Sequence, residues 1–158
     1  MENLTNIQFK VVDPKDIETI TMIAEWYLKE WNIPLKTTIE KIKALSLANK
    51  EFQILMIVNG MPVATGGIYT NVGLLEKEPR LKIHKNWLAL VYTLPKFRGK
   101  GLGKLLCEAI QNQSKKIQLT QLHLFTHTAE SLYKRLNWKV TERIELEGKN
   151  IVIMQIKL

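Results

Sequence analysis

The sequence predicts an α/β domain built as a mixed β-sheet flanked by helices. Three observations carry this expectation. Strand-like and helix-like periodicities alternate along the chain in the order β, α, α, β, β, β, α, β, α, β, β. Two pairs of strand-like runs are joined by the tight-turn dipeptides Asn59-Gly60 and Glu147-Gly148. A chain of 158 residues with 46% apolar composition suffices for one core, and it shows neither an internal repeat nor a low-complexity tract. One domain over residues 1–158 is therefore expected.

Ile7 to Val12 reads as the first strand. Asp13-Pro14 then reads as a cap followed by proline at the first helical position, opening a helix through about Glu30 whose Ile17, Ile20, Ala24, Tyr27 and Leu28 share a face. Thr37 and Glu40 have capping-box spacing for a second helix reaching about Asn49. Phe52 to Leu75 carries no charge and is long enough to span a bilayer as a helix, but Asn59-Gly60, Pro62, Gly66-Gly67 and Asn71 interrupt it. Phe52 to Val58 and Met61 to Tyr69 are expected instead as a hairpin.

Leu74 to Asn86 is a charged segment with one proline, expected as a loop. Trp87 to Leu94 is an uninterrupted apolar run, the pattern of a strand buried on both faces, and Pro95 ends it. Leu102 to Lys116 has helical period with cations in its last turn. Leu122 to Phe125 follows as a strand. Ala129 to Leu136 reads as a short helix stopped by Asn137, and Trp138 to Leu146 with Asn150 to Lys157 as a closing hairpin.

The net charge of +8, from 23 Lys and Arg against 15 Asp and Glu, suits an anionic partner. The cations are scattered rather than gathered in a stripe, and no nucleic-acid motif is present, so nucleic acid is not expected. A single cysteine, Cys107, cannot form an internal disulfide, and MENLTNIQFK lacks the charged-then-apolar pattern of a secretory leader. A cytoplasmic protein with no membrane association is expected. His123 and His127 have no cysteine or carboxylate at ligand spacing, which argues against a metal site.

The stretch PKFRGKGLGKLL, Pro95 to Leu106, joins a buried strand to a helix through a glycine-rich turn. Such a junction makes an anion site, because free backbone amides and the positive end of the helix dipole face one point. Arg98, Lys100 and Lys104 would add charge around it. The spacing rejects a P-loop, which has four residues between its glycines and then Lys-Ser/Thr, since Gly99 and Gly103 enclose three and Lys104 precedes Leu105. A dinucleotide fingerprint would need glycine where Lys104 stands.

Arg98-x-x-Gly101-x-Gly103 resembles the pyrophosphate loop of the GNAT superfamily of acyl-CoA-dependent N-acyltransferases. About 30 residues on, the segment Thr126 to Trp138 is similar to the family's Ala-x-x-Leu-Tyr-x-x-x-Gly-Phe motif, matched at Ala129, Leu132 and Tyr133. The element order agrees from about residue 7 to 157. The resemblance implies a mostly antiparallel sheet of about seven strands flanked by about four helices. It implies acetyl-CoA as cosubstrate, no metal, and acetyl transfer to a primary amine, chiefly of a small molecule, by direct attack in a ternary complex. A protein or peptide amine is the variant within that class, and a non-catalytic acyl-CoA sensor the reading from another. Many members form homodimers, so one is possible here.

Carried onto this chain, the resemblance puts CoA pyrophosphate on the backbone of Arg98, Gly99, Lys100, Gly101, Leu102, Gly103 and Lys104. The pantetheine arm would run beside Val91, Tyr92 and Thr93, with strand-end amides as oxyanion donors. Tyr133 matches the tyrosine that protonates the leaving thiolate. Three positions depart from the family pattern: Thr126 stands for an asparagine that contacts pantetheine, Asn137 for glycine and Trp138 for phenylalanine. The usual strand carboxylate is missing, so the general base is open among Glu25, Glu30, His84 and His127, each able to act through water, or no base at all. Trp26, Tyr27 and Trp31 fall where the family forms its acceptor groove, with aromatic core packing as the plainer alternative.

Overall fold

A computed structural model describes residues 6–158; MENLT, which carries half of the leader reading, lies outside them. Seven strands form one sheet: β1 (Ile7–Val11), β2 (Phe52–Val58), β3 (Met61–Tyr69), β4 (Trp87–Thr93), β5 (Gln121–Thr126), β6 (Lys139–Leu146) and β7 (Lys149–Lys157). Their order is β1-β2-β3-β4-β5-β7-β6, and every neighbouring pair is antiparallel except β4 with β5. Five helices accompany the sheet: α1 (Ile17–Trp31), α2 (Leu35–Lys43), α3 (Leu74–Lys77), α4 (Leu102–Lys116) and α5 (Glu130–Arg135).

Period-two alternation divides the core between the two faces. Phe52, Ile54, Met56 and Val58 of β2 pack with Leu102, Leu106, Cys107 and Ile110 of α4. Leu55 points the other way, toward Ile20, Ile23 and Tyr27 of α1 and Ile42 of α2. Both expected hairpins form, with Asn59 at φ 51° and Gly60 at 80° in the first turn and Glu147 at 51° and Gly148 at 78° in the second. Asn137 takes the left-handed conformation, φ 72°, that stops α5. No helix among the described residues is long and apolar enough to cross a membrane.

Four local expectations give way. Helix α1 starts at Ile17 because Asp16, not Asp13, caps it: its carboxylate accepts from the Thr19 amide at 3.2 Å and the Thr19 hydroxyl at 2.7 Å. The Asp13 carboxylate accepts instead from the Lys15 amide in a preceding turn. The buried stripe is accordingly Ile20, Ile23, Ala24 and Tyr27, and Ile17 and Leu28 are exposed. Helix α2 starts after Pro34 with no side-chain cap, which puts Thr37 and Glu40 inside it, and Leu47–Asn49 is a separate 3-10 turn. The expected loop at 74–86 holds α3 and a second 3-10 turn, Pro79–Ile83, because Leu74, Leu75 and Leu81 are buried beneath its charges. Arg80 ties this segment to β6 through a two-point contact with Glu142 at 2.6 and 3.1 Å.

The fourth concerns β4. It is buried near its ends, yet Ala89, Leu90 and Val91 are half-exposed. Two features cause this. β4 and β5 pair only at Trp87↔His123 and then diverge. A β-bulge places Leu90 and Val91 opposite the single Gly66, with Leu90 at φ 58°. The strand is a core strand at both ends and the wall of a gap between them.

Candidate active site

The gap between β4 and β5 is a cavity of about 520 Å³ that passes through the sheet. Its middle is formed by Leu88 to Val91 of β4 facing Leu124 to Thr126 of β5. One end is lined by His127, Thr128, Ala129 and Tyr133, the other by Trp31, Ile33, Lys41, Val72 and Gly73.

The bulge that shapes the middle is held from behind by a buried polar network. Tyr27, fully buried, donates its hydroxyl hydrogen to the Leu90 carbonyl at 2.6 Å and accepts from Gln53 Nε2 at 2.9 Å. Gln53 Nε2 also donates to Thr65 Oγ1 at 2.8 Å, Thr65 donates to the Ile54 carbonyl, and the Tyr69 hydroxyl donates to Gln53 Oε1. Burial raises the pKa of both tyrosines, so they remain hydrogen-bond donors. Tyr27 therefore supports β4 rather than lining the cavity. Tyr27→Phe is expected to lower stability by about 1–3 kcal/mol in urea denaturation, since it removes the donor to the partly buried Leu90 carbonyl and orphans a buried amide hydrogen of Gln53. It should also lower kcat several-fold with the acetyl-CoA Kd unchanged; an unaltered kcat would separate the bulge from the chemistry.

Trp26 and Tyr92 stack at 5.6 Å between centroids, Trp31 meets Tyr27 at 5.2 Å and Tyr92 at 5.9 Å, and of these four aromatics only Trp31 reaches the cavity. The side chain of Tyr92 thus faces α1, on the opposite side of the strand from Val91, so Tyr92 has only its backbone to offer a pantetheine arm beside β4.

Beyond β4, Gly99 (φ 76°) and Gly101 (φ 78°) take conformations that side chains rarely adopt, and Gly101 is the N-cap of α4. No side chain caps that helix, so the first-turn amides of Leu102, Gly103 and Lys104 lack helical partners. A Cβ placed on Gly99, Gly101 or Gly103 would meet nothing within 4 Å. The junction is an open cradle of donors. Leu102 contributes backbone only, its side chain being buried in the core. Arg98 does not charge the cradle as expected: its Nε donates to the Thr93 carbonyl at 2.8 Å, its guanidinium pairs with Glu30 at 3.1 Å, and it lies over the Tyr92 ring at 5.4 Å. Lys104 sits 4.0 Å from Glu108.

Tyr133 is almost buried, packed edge-on against Trp138 at 5.9 Å, and it lines the cavity. Burial, then the nearby Cys107, raises its pKa, which keeps the phenol protonated. The Thr126 hydroxyl accepts from the Ala129 amide at 3.0 Å, leaving its own hydrogen to donate elsewhere.

Of the four base candidates, His127 alone lines the cavity. Its Nδ1 is 3.0 Å from the Asn150 carbonyl, and because a carbonyl only accepts, Nδ1 carries a proton, which in the neutral ring puts the lone pair on Nε2. Glu25 lines a separate surface cleft with Ile17, Met22 and Pro62, and Glu30 is engaged by Arg98. His84 stacks on the buried His123 at 4.2 Å, where β4 and β5 still pair. Among the described residues no group of acidic, cysteine and histidine side chains has metal-binding geometry.

Sequence reasoning missed Gln53, Thr65, Lys41 and the Leu90 bulge. Gln53 carried a readable signal, being a lone amide in the apolar run Phe52 to Val58. Lys41 reads from sequence as one more surface lysine of an amphipathic helix.

Several known structures share this architecture. The yncA protein of Salmonella typhimurium, solved with acetyl-CoA, superposes with a TM-score of 0.70 at 14% identity over 96% of this chain and 93% of its own. An N-acetyltransferase from Staphylococcus aureus Mu50 gives 0.72 at 13% identity over 97% and 99%. Aminoglycoside 6'-acetyltransferase type Ii gives 0.74 at 11% identity over 95% and 96%. At these identities the likeness is one of fold. No curated protein sequence is significantly similar to the chain. The model of the acetyltransferase (GNAT) domain matches residues 53–140, which include the hairpin, the bulged strand, the glycine cradle and Tyr133. That match covers more than half of the 158 residues, and the chain is a member of the GNAT acetyltransferase family, an acyltransferase.

Proposed function

We propose that the chain, acting as one domain, transfers the acetyl group of acetyl-CoA to a primary amine of a small molecule, by direct attack within a ternary complex. The observation that carries this reading is the cavity through the sheet, with Tyr133 and His127 at one end and Trp31, Ile33 and Lys41 at the other. Two substrates entering from opposite faces would meet in its middle. A through-passage of about 520 Å³ suits a thioester arm and a small amine better than a protein segment laid across the surface.

In this reading the diphosphate of CoA rests on the amides around Gly101 and Gly103, and the pantetheine arm follows Val91 and Thr93. Thr126 donates its hydroxyl hydrogen to the arm. Amides freed from the ladder at the bulge polarise the thioester carbonyl, an effect worth about 3 kcal/mol per donor. The amine nitrogen attacks the carbonyl carbon, its proton passes to His127 Nε2 directly or through water, and the carbon–sulfur bond breaks as the Tyr133 phenol protonates the departing thiolate. Cys107 offers no covalent detour, because it is fully buried and its thiol is pushed up to about 12.

Calorimetric titration with acetyl-CoA, followed by thiol release against a panel of primary amines, tests the proposal. Micromolar binding with turnover is the expected result, together with thermal stabilisation by acetyl-CoA and none by an oligonucleotide. Absence of binding would overturn the assignment of the glycine cradle. Binding without turnover of any amine would favour an acyl-CoA sensor.

A further inference from the structure

We propose that the acceptor is a primary amine that also bears a carboxylate on an apolar body, and that Lys41 receives that carboxylate. The inference rests on the acetyl-transfer reading of the cavity and narrows it to a substrate class.

The chamber opposite Tyr133 is walled by Trp31 at the end of α1, Ile33 in the α1–α2 connection, Lys41 on α2, and Val72 and Gly73 after β3. Among the described residues no aspartate or glutamate lines the cavity, and Lys41 is its one lysine or arginine. An acceptor with several ammonium groups would thus find no counter-ion here and one cation already in place. One that presents a carboxylate finds a partner.

The state of Lys41 supports its being that partner. Its ammonium is half-buried and lies 4.8 Å over the face of Tyr69, a cation–π contact that orients it without neutralising it. Among the described residues no carboxylate comes within 4 Å of it, whereas Lys77, Arg80, Arg98, Lys134 and Arg143 all have such a partner. Glu51 and Glu76 act on it only at longer range, and Glu51 is held by the amide and hydroxyl of Thr70 at 3.1 and 2.9 Å. Burial lowers its pKa, the expected mark of a cation partly withdrawn from water without an ion pair. The remaining walls are apolar, and Trp31 is 42% exposed beside them although its neighbours Tyr27 and Tyr92 are buried. Trp31, backed by these two buried rings, therefore offers the acceptor an aromatic surface in the same chamber as the cation.

The test compares acid and amide forms of the same amine, phenylalanine against phenylalaninamide and 6-aminohexanoate against its amide, with spermidine as a polycation. Binding to the CoA-loaded protein is measured by calorimetry and kcat/KM by thiol release. The acids are expected to exceed their amides by about ten-fold, with spermidine poorest. Lys41→Met should erase that preference, chiefly through KM, while the acetyl-CoA Kd stays as in the wild type. Lys41→Glu should reverse it toward the amides and spermidine. Equal use of acid and amide by the wild type, or an undiminished preference in Lys41→Met, would overturn the proposal. So would binding of none of the acids. Failure of acetyl-CoA itself to bind would count against the acetyl-transfer reading, and the acid–amide difference measured on the unloaded protein would still decide the role of Lys41.

Discussion

Gly103→Glu is expected to abolish acetyl-CoA binding, with a Kd raised by at least about 100-fold, while the ligand-free protein melts at or slightly above the wild-type temperature. The two halves have separate causes. In the folded chain Gly103 lies in the first turn of α4 with open space where a side chain would go. Glutamate there replaces a residue that weakens helices by about 0.5–1 kcal/mol, and it puts a negative charge at the positive end of the helix dipole. Without ligand the substitution is neutral to stabilising. With ligand the same carboxylate stands among amides that would hold a diphosphate, and like charges at contact cost several kcal/mol. Gly103→Ala separates bulk from charge and should retain most of the affinity. Gly101→Glu is the less clean variant, since φ 78° adds backbone strain of about 1–2 kcal/mol to its loss of binding. A Kd for Gly103→Glu within two-fold of wild type would remove the diphosphate from this helix.

That test is available because the cradle was legible in the sequence, and the reason is local. Glycines at 99 and 101 are needed wherever the chain turns with positive φ, so turn chemistry marks the junction before any fold is known. The hairpins around Asn59-Gly60 and Glu147-Gly148 and the limits of α4 were legible for the same reason. What failed depends on neighbours distant in sequence. Asp13 and Asp16 are both plausible caps, and the choice falls to the one whose helix turns Ile20, Ile23 and Tyr27 onto the sheet. The charged run 74–86 conceals three leucines that become core because they join Ile20, Ile42 and Ile153, residues distant in sequence, and Arg80 then pairs with Glu142 over them. Arg98 looks like a phosphate ligand by motif, yet Glu30 and the Thr93 carbonyl claim its side chain. The bulge at Leu90 has no sequence mark of its own, since it depends on Tyr27, Gln53 and Thr65 meeting behind the strand.

Tyr133→Phe is expected to lower kcat by about 100-fold, the lower end of what a positioned general acid contributes, with a much smaller change in the acetyl-CoA Kd. The substitution is well suited to isolating the hydroxyl. The ring packs against Trp138 and lies within the core beside α4, so phenylalanine keeps its shape and contacts, and the melting temperature should barely move. Two further signatures distinguish a proton donor from a residue that only fills space. First, burial raises the Tyr133 pKa above its ordinary value near 10, so the phenol remains protonated as pH passes through that value. The wild-type rate should therefore show no loss on the alkaline side from this group up to about pH 10, whereas an unshifted tyrosine would already be half ionised there. Second, the deficit should depend on the leaving group. An acyl donor whose thiol is more acidic than that of CoA needs less help to depart, so the gap between wild type and Tyr133→Phe should narrow with it. A gap that stays constant across leaving groups would mean that the hydroxyl positions the thioester rather than protonating the thiolate, and an unchanged kcat with CoA itself would remove Tyr133 from the reaction.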